Sequence, residues 1–212
     1  IRSRSDYGNG SVDVNGYGLG AALTWYGANG FYLDGQGKAT WYKSDFESDR
    51  LSDALASGVK SLGYALSLEA GQRLAIDNQW SVTPQAQLIW SSLNTDSYHD
   101  VFGARVETPD NNSLTGRIGI AADYSTAWRE VDNTKTQLTV GGIANIYQEL
   151  KSGSDYITIS DVKVATGTID KTWGEIGATA NYGWNDNKYS VYGKLSGATS
   201  LNNFGDSHSV SG

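Results

Sequence analysis

The side chains of this sequence that could do chemistry are charged and lie in segments where polar and apolar residues alternate. Eight of them fall on the same, polar side of their segments, with many small residues between them. Carboxylates close to a cationic group can act as acids or bases when their surroundings shift their pKa values. Charges of both signs on one face are also typical of ordinary paired or hydrated side chains. The eight are Asp34, Lys38, Glu69, Arg73, Arg117, Asp123, Glu175 and Lys194.

Other chemical sites find little support in the sequence. The histidines, His99 and His208, lie far apart in predicted loops, where we expect solvated surface side chains. Asp96, Asp100 and Asp110 lack the ordered D-x-[DN]-x-[DN]-G pattern of a calcium loop, so we interpret them as solvated loop acids. A nucleophile constellation and a GxxxxGK[ST] phosphate motif are both missing. We therefore predict no enzymatic activity, no cofactor and no metal site.

Composition narrows the class of protein. The 212 residues include 26 Gly, 13 Tyr and seven Trp but only four Phe, an amphipathic aromaticity suited to surfaces with one wet and one apolar side. The absence of Cys excludes a disulfide scaffold and thiolate metal sites. A net charge of −7 argues against nucleic acid as a partner. Without an initiating Met or a signal peptide, the chain is expected to be a mature or excised piece.

Alternation at period two dominates the chain and predicts an all-β protein. We predict eight strands of roughly 10 to 14 residues, which is long for a globular sheet and suitable for tilted membrane-spanning strands. No apolar run reaches the roughly 18 residues of a spanning helix, so a membrane crossing would use strands. The predicted strands cover residues 17–26, 31–42, 61–71, 82–91, 114–124, 137–149, 173–184 and 188–199.

The connections alternate between short turns and long polar loops. Short turns on one side and long loops on the other are typical of an outer-membrane barrel, with the turns periplasmic and the loops extracellular. Asn111-Asn112, followed by Ser113, is interpreted as a turn rather than a self-cleaving site. The short turns are 28–30, 77–79 and 185–187, with a longer one at 126–135, and the loops are 46–58, 93–112 and 150–171.

Tryptophan placement predicts two aromatic belts, one at each membrane interface, where indole rings lie at headgroup level. The alternative is that these rings fill a soluble core. Trp25, Trp80, Trp128 and Trp184 lie beside short connections, and Trp41, Trp90 and Trp173 lie near the long loops. In a closed barrel the polar face with its eight charges would line a channel that something must fill or cross.

Strand direction makes the chain look like a segment of a barrel. If the turn at 28–30 is periplasmic, Ile1 lies outside, and eight strands later the chain again emerges outside. Bacterial single-chain barrels normally begin and end in the periplasm, so an odd number of strands is expected to be missing at each end. Residues His208 to Gly212 resemble the opening of one more descending strand.

Three stretches resemble the autotransporter β-domain family, in the subgroup with the AIDA-I, pertactin and BrkA-type adhesins. They are residues 16–26 with 30–34, residues 82–88 and residues 198–207. The resemblance implies a barrel of twelve strands with a helical linker in the pore, and the eight strands here look like the fourth to eleventh. Residues 1–212 are thus expected to form a partial β-barrel domain without the amino-terminal strands, the linker and the closing strand.

The resemblance also implies a function. The domain would insert into the Gram-negative outer membrane, support secretion of an attached passenger and anchor it at the cell surface. Its implied partners are outer-membrane lipid, its own passenger and linker helix, and the barrel-assembly machinery during insertion. Some relatives cut the passenger inside the barrel with inward carboxylates, for which Asp34, Glu69 and Glu175 are the candidates here, with Arg117 as charge partner. Ordinary lumen charges are the alternative.

Other classes of protein remain open at this point. A porin would need segregated charges on an inward-folded loop, and loop 150–171 carries Lys151, Asp155, Asp161, Lys163 and Asp170 without segregation. A soluble ligand-binding barrel would have an apolar lumen in place of a charged one. An outer-membrane enzyme needs a nucleophile constellation. A folding intermediate held by the barrel-assembly machinery would explain strands missing at both ends.

Overall fold

The computed structural model describes residues 2–7, 10–48, 53–109, 111–153, 156–160, 162–165, 171–201 and 208–211. Within these ranges no helix is long and apolar enough to cross a membrane. The strands are β1 (Arg2–Tyr7), β2 (Gly10–Tyr26), β3 (Phe31–Ser48), β4 (Asp53–Gln72), β5 (Leu74–Ala75), β6 (Trp80–Thr95), β7 (Tyr98–His99), β8 (Arg105–Glu107), β9 (Asn111–Arg129), β10 (Lys135–Lys151), β11 (Tyr156–Ile159), β12 (Val162–Ala165), β13 (Thr172–Trp184), β14 (Tyr189–Ser200) and β15 (His208–Ser211).

One antiparallel sheet, which we call the wall, dominates the structure. Its strand order is β1-β2-β3-β4-β6-β9-β10-β13-β14-β15, and β5 continues the line of β4 along β6. Neighbours in space are neighbours along the chain, apart from the short strands inserted in the loops. The eight long strands confirm the predicted all-β antiparallel fold and its eight strands. Six of them exceed the predicted length, with up to 20 residues in β4, whereas β13 and β14, with 13 and 12 residues, lie within it.

Most of the additional length lies at the end of the sheet away from the short turns, although β9 also gains five residues at the turn end. Most of the predicted loop 46–58 is strand, because β3 continues to Ser48 and β4 begins at Asp53. The loop prediction was wrong because polar side chains fit a strand pair with both faces in water as well as they fit a loop. β4 carries two extra residues there, one at each of two irregularities, and Gly58, with φ of +72°, lies in the first, between Ala56 and Val59.

The short turns are built as predicted. In the turn before β6, Asp77 Oδ1 accepts hydrogen bonds from the backbone N–H groups of Gln79 and Trp80, both at 2.7 Å. Such a side-chain bond to the backbone two residues on stabilises a tight turn. In the turn before β14, residues 185–187 have φ values of +53°, +57° and +62°. Asn and Asp tolerate this left-handed backbone better than other non-glycine residues.

Two long loops form a second, smaller sheet with the order β12-β11-β8-β7. Strands β7 and β8 belong to the connection between β6 and β9, and β11 and β12 to the connection between β10 and β13. The two connections meet where Thr158 lies opposite Glu107 and Ile159 opposite Val106. The prediction of loops at 93–112 and 150–171 therefore located the connections but missed their strands.

Two further predictions need correction, and one is confirmed. The predicted turn at Asn111–Ser113 is wrong, because these residues begin β9 and pair with β6. The predicted connection 126–135 shortens to 130–134, since pairing of β9 with β10 reaches Arg129. The predicted strand opening at His208 is confirmed by β15, which pairs with β14. Strand β1 was not predicted, and Ile1 lies outside the described residues.

The described residues form no conventional hydrophobic core. Among the described residues the buried apolar side chains are Ala56, Val59, Val106 and Ala121, all small or medium in size. Large apolar side chains instead stand exposed along the long strands. This inverted distribution suits an apolar solvent on one face of the sheet.

Candidate functional site: the polar face of the wall

Strand register sorts the side chains into two continuous faces, because residues directly opposite each other point to the same side. We call one the apolar face. It carries Tyr17, Leu23, Ile118, Ile176 and Leu195, which are 61% to 78% exposed. The opposite side is the polar face, and it carries all eight charged residues singled out in the sequence. An apolar exterior and a polar interior are the pattern of an outer-membrane barrel wall.

A transverse row of polar and aromatic side chains crosses the polar face from β3 to β13. Each member lies directly opposite the next on the neighbouring strand. The row brings together three predicted site residues, Asp34, Glu69 and Arg117, while Glu175 lies one row closer to the short turns. In order the row is Asp34, Glu69, Gln87, Arg117, Tyr147 and Trp173.

The first polar cluster is centred on Glu69. Its carboxylate accepts a hydrogen bond of 2.6 Å from Tyr32 Oη and forms a 2.5 Å ion pair with Arg117 Nη2. The Arg117 and Glu69 side chains are only 13% and 18% exposed. The pair spans β4 and β9 and so passes beside Gln87 of the strand between them. It ties three wall strands together from the inside.

The second polar cluster is centred on Glu175. Its carboxylate accepts hydrogen bonds from Asn145 Nδ2 at 2.9 Å and Tyr147 Oη at 2.8 Å. Lys194 Nζ forms an ion pair with it at 2.9 Å. The Glu175 side chain is 10% exposed, so its charge is compensated almost entirely by the wall itself. Sequence reasoning missed Asn145 and Tyr147, although their alternation with apolar neighbours placed them on this face.

Asp34 and Arg73 have smaller sets of partners. Asp34 accepts hydrogen bonds from Thr24 Oγ1 at 2.5 Å and from Gln36 Nε2 at 2.7 Å. Arg73 Nε donates to Ser81 Oγ at 3.1 Å, close to the short turns. The Thr24–Asp34 and Arg73–Ser81 bonds again join neighbouring parts of the wall, whereas Gln36 and Asp34 lie on the same strand.

Polar side chains lie over glycines of the neighbouring strand at two positions of this face. A Cβ atom on Gly141 would collide with the Asp123 carboxylate, and one on Gly119 would collide with the Asn145 amide. Lys38 lies on the same face, opposite Ala65 and a glycine. The glycines thus let polar side chains spread along the wall, which leaves the polar face shallow.

The arrangement of these side chains favours a structural lining of the polar face over a catalytic centre. Glu69 and Glu175 are each held by cationic and neutral donors of the wall, and each shows the pairing expected of a structural charge. Asp34 lies directly opposite Glu69 but is separated from Glu175 by several strands. A role of any of these acids in passenger cleavage stays a prediction.

Six of the seven tryptophans lie on the apolar face, 36% to 57% exposed. At the turn end, Trp80 packs on Tyr124 and Trp128 on Tyr182, with ring centroids 5.2 Å and 6.4 Å apart. At the loop end, Trp41 stacks on Tyr17 at 5.5 Å. Tyrosines that the sequence analysis did not assign therefore pack against these tryptophans at both ends of the apolar face. The six are Trp25, Trp41, Trp80, Trp90, Trp128 and Trp184.

The prediction that Trp173 belongs to an interface belt is wrong. Trp173 shares the polar face with Glu175, two residues away, and stacks on Tyr147 with ring centroids 5.1 Å apart and an interplanar angle of 4°. Its proximity to a long loop suggested a membrane interface, but alternation along β13 places it on the other side of the wall.

The remaining candidates do not form a site in the part of the chain that the structure describes. His99 lies in β7 and His208 begins β15, in different sheets. Asp100 Oδ1 accepts backbone hydrogen bonds within its own turn, and Asp110 lies outside the described residues. No group of three or more potential metal ligands occurs among those residues. Of the loop charges considered for a porin, Asp155, Asp161 and Asp170 lie outside the described ranges; Lys151 ends β10, and Lys163 lies over the Tyr156 ring.

Comparison with known proteins agrees with this architecture. Residues 1–196 match the family model described as the autotransporter beta-domain. The adhesin BmaC autotransporter of Brucella suis is 39% identical over 208 residues, which cover 98% of this chain and 6% of that protein. The BrkA autotransporter of Bordetella pertussis is 26% identical over 87% of this chain and 18% of its own length. The chain therefore spans a small part of these relatives.

A solved structure shows the same fold. The crystal structure of the beta domain of the Bordetella autotransporter BrkA superposes with a TM-score of 0.64 at 19% identity. The match covers 93% of this chain and 72% of the BrkA chain.

Proposed function

Because the chain belongs to the autotransporter beta-domain family of Gram-negative outer membranes, we propose that it forms the wall through which an attached passenger reaches the cell surface. In this proposal the barrel then anchors the passenger. The partners are outer-membrane lipid, the protein's own linker helix and passenger, and the barrel-assembly machinery during insertion.

The observation that carries the proposal is the chemistry of the polar face. Its most buried charges are paired within the wall, in the Glu69–Arg117 and Glu175–Lys194 pairs, and its glycines keep the lining shallow. A chain of arbitrary sequence can pass such a surface, because few buried groups are left to bind it specifically. A soluble ligand-binding barrel would instead need an apolar lumen.

The two ends of the wall support an orientation. Short turns at 27–30, 76–79, 130–134 and 185–188 share one end, and the connections that carry the second sheet share the other. In outer-membrane barrels the short turns are periplasmic and the long loops extracellular. We assign this orientation to the chain.

The test uses the full-length protein with an epitope tag in the passenger, expressed in a Gram-negative host. We expect antibody to label the tag on intact cells, and deletion of the β-domain to retain the tag in the periplasm. The orientation is checked separately with Ser57→Cys at the loop end, which should react with a membrane-impermeant maleimide on intact cells. Increased sugar uptake without surface display of the tag would contradict the proposal and favour a porin.

A further inference from the structure

Two lysines lie directly opposite each other on the outer side of the wall. Lys43 belongs to β3 and Lys60 to β4, and alternation places both on the same side as the apolar face. Both side chains are exposed, and neither forms an ion pair with any residue that the structure describes. Like charges directly opposite each other destabilise a strand pair. An anion between the two ammonium groups would turn this repulsion into attraction.

The two lysines lie just beyond the loop-end aromatic side chains. Lys43 is two residues past Trp41, and Lys60 is two residues from Leu62, the partner of Trp41 on β4. Two residues of a strand span about 7 Å. The lysines therefore start one step outside the tryptophan, which marks the depth of lipid headgroups. The Lys43 stem extends toward the loops, because its Cε lies 3.3 Å from the position of a Cβ on Gly58.

The transverse row that contains the two lysines, which we call the lysine row, is positively charged. Across β2 and β1, Lys43 lies opposite Asn15, and Asn15 lies opposite Arg2. On the other side, the Asp96 N–H donates a hydrogen bond of 3.0 Å to the Lys60 carbonyl, which places Asp96 opposite Lys60. Three cations against one anion leave the lysine row with an excess of positive charge.

The acids of the next row toward the loops have other partners. Asp13 Oδ2 forms an ion pair of 3.0 Å with Arg4 Nη1. Asp45 Oδ1 accepts a hydrogen bond of 2.7 Å from the Gly58 N–H. The lysine row lies closer to the hydrocarbon than these acids, so an anion carried by a lipid meets the lysines first.

A groove for an acyl chain lies farther down the same strand. On the apolar face of β3, Gly35 and Gly37 lie between larger side chains of the neighbouring strands, among them Leu23, Leu66 and Leu68. The groove has a volume of about 500 Å³, which is sufficient for part of a small ligand. A Cβ on Gly35 would meet only the Leu23 carbonyl, at 4.0 Å, so the floor of the groove is open.

The distance between the groove and the lysines fits one lipid molecule. Gly37 is six residues from Lys43, or about 20 Å along the strand. A strand tilt of about 45° reduces this distance to about 14 Å of membrane depth, close to half of the hydrocarbon core of about 30 Å. A lipid with its headgroup at Lys43 would therefore place an acyl chain in the groove.

We infer that the outer side of β3 and β4 binds a phosphorylated membrane lipid. Lys43 and Lys60 hold its phosphate as point charges, as lysine does in other phosphate sites. One acyl chain lies in the groove over Gly35 and Gly37. The site rests on the membrane insertion of the proposed function, and in the proposed orientation it belongs to the outer leaflet.

The test measures binding of radiolabelled dipalmitoyl phosphatidic acid, whose phosphate carries no attached cation, to the full-length protein in dodecyl maltoside micelles. The unsubstituted protein should bind the probe saturably. Each lysine beside an anionic lipid contributes about fivefold in affinity, so Lys43→Gln combined with Lys60→Gln should bind about thirtyfold more weakly. The matched control, Lys151→Gln combined with Lys188→Gln, removes the same charge from two exposed lysines elsewhere and should bind normally. Lys43→Arg combined with Lys60→Arg should retain binding.

A second pair of variants tests the groove. Gly35→Leu should fill it and weaken binding of the dipalmitoyl probe severalfold, with no effect on dihexanoyl phosphatidic acid, whose chains are too short to reach it. Gly193→Leu on β14 is the control, because a Cβ there also meets nothing within 4 Å and the residue lies on the same face. Equal weakening of both probes by Gly35→Leu would contradict the acyl-chain site.

Three results would overturn the inference. Equal losses in the two double lysine variants would mean that only net charge matters. Competition by inorganic phosphate as effective as that by unlabelled phosphatidic acid would indicate a site for the free anion. Equal competition by dipalmitoyl phosphatidylcholine would indicate a groove that does not select the headgroup.

Binding in micelles requires no transport, so the lipid site and the proposed function can fail separately. Failure of the passenger tag to reach the cell surface, together with selective binding of phosphatidic acid, would contradict the proposed function and leave the lipid site. Surface display of the tag, together with equal binding by the two double lysine variants, would contradict the lipid site alone.

Discussion

The phenol ring of Tyr32 lies flat against Gly71 on the neighbouring strand. A Cβ atom built on Gly71 would stand 2.5 Å from Cε1 and 2.6 Å from Oη of Tyr32. The glycine thus gives the ring room to direct its hydroxyl to Glu69, two residues along the same strand. One small residue therefore allows both the flat packing of the ring and the first polar cluster.

Replacing Gly71 by Ala should destabilise the barrel. The new methyl group would push the Tyr32 ring from the wall and weaken its hydrogen bond to Glu69, at an expected cost of about 1–3 kcal/mol. The measurement is urea unfolding of the detergent-solubilised protein, followed by tryptophan fluorescence. Gly193→Ala is the matched control, because a Cβ there meets nothing within 4 Å. Equal effects of the two substitutions would show that the Tyr32–Gly71 contact has no special importance.

The Glu69–Arg117 pair should be coupled strongly. Removing Arg117 alone with Arg117→Met leaves a mostly buried carboxylate with less compensation, which should lower stability by about 2–3 kcal/mol. The double variant with Glu69→Leu should recover part of this loss, because no unpaired charge remains. A double-mutant cycle on unfolding free energies measures the coupling.

The exposed pair Arg105–Glu107 in the second, smaller sheet serves as the control for this cycle. Its side chains are 59% and 44% exposed, so its coupling should stay below about 1 kcal/mol. Additive losses at Glu69 and Arg117 would mean that lumen water screens the inner pair as well as it screens the outer one.

Acid should weaken the turn before β6. Hydrogen bonds from the N–H groups of Trp80 and Gln79 lower the pKa of the Asp77 carboxyl below its ordinary value of 3.8. A carboxyl with a lowered folded-state pKa contributes stability that is present above its unfolded pKa and is lost as pH falls through the folded pKa. The contribution of Asp77 should therefore be complete at neutral pH and disappear below about pH 4.

Two substitutions separate charge from hydrogen bonding at this turn. Asp77→Asn keeps an acceptor without the titrating charge, so its unfolding midpoint should depend less on acid pH than that of the unsubstituted protein. Asp77→Ala removes the acceptor and should be less stable at neutral pH. An identical acid profile for the unsubstituted protein and Asp77→Asn would count against the lowered pKa.

Trp173 and Trp184 should report opposite sides of the same strand. In liposomes containing brominated acyl chains, a variant that retains Trp184 as its only tryptophan should be quenched strongly, because Trp184 lies on the apolar face. A variant that retains only Trp173 should be quenched little. Equal quenching of the two variants would mean that Trp173 lies at the membrane interface like Trp184.

Alternation made the wall predictable from the sequence. Period two along residues 31–42 assigns Leu33 and Trp41 to one face and Asp34 and Lys38 to the other, because successive side chains of a strand point to opposite sides. Turn chemistry was equally local, since Asp77 and residues 185–187 stabilise their turns through their own backbone. These features depend only on residues close in the chain.

Contacts between side chains on different strands were harder to predict from the sequence. Glu69 and Arg117 are 48 residues apart, and their pairing depends on the registers of β4 with β6 and of β6 with β9. The same holds for Trp173, whose stacking on Tyr147 requires the register of β10 with β13. Sequence position near a loop suggested the wrong face because distance from a loop carries no information about the side of a strand.

The sequence by itself determined the class of structure, the faces of the strands and the sites of the turns, since each follows from short-range periodicity and backbone preference. Tertiary structure alone decided which charges form pairs and that the Tyr32 ring packs against Gly71. It also decided that the two long loops pair at Val106 and Ile159. The physical reason is that strand register and loop packing are set by contacts between residues far apart in the chain. Polar composition in the loops is compatible with many such arrangements, and only the folded wall selects one.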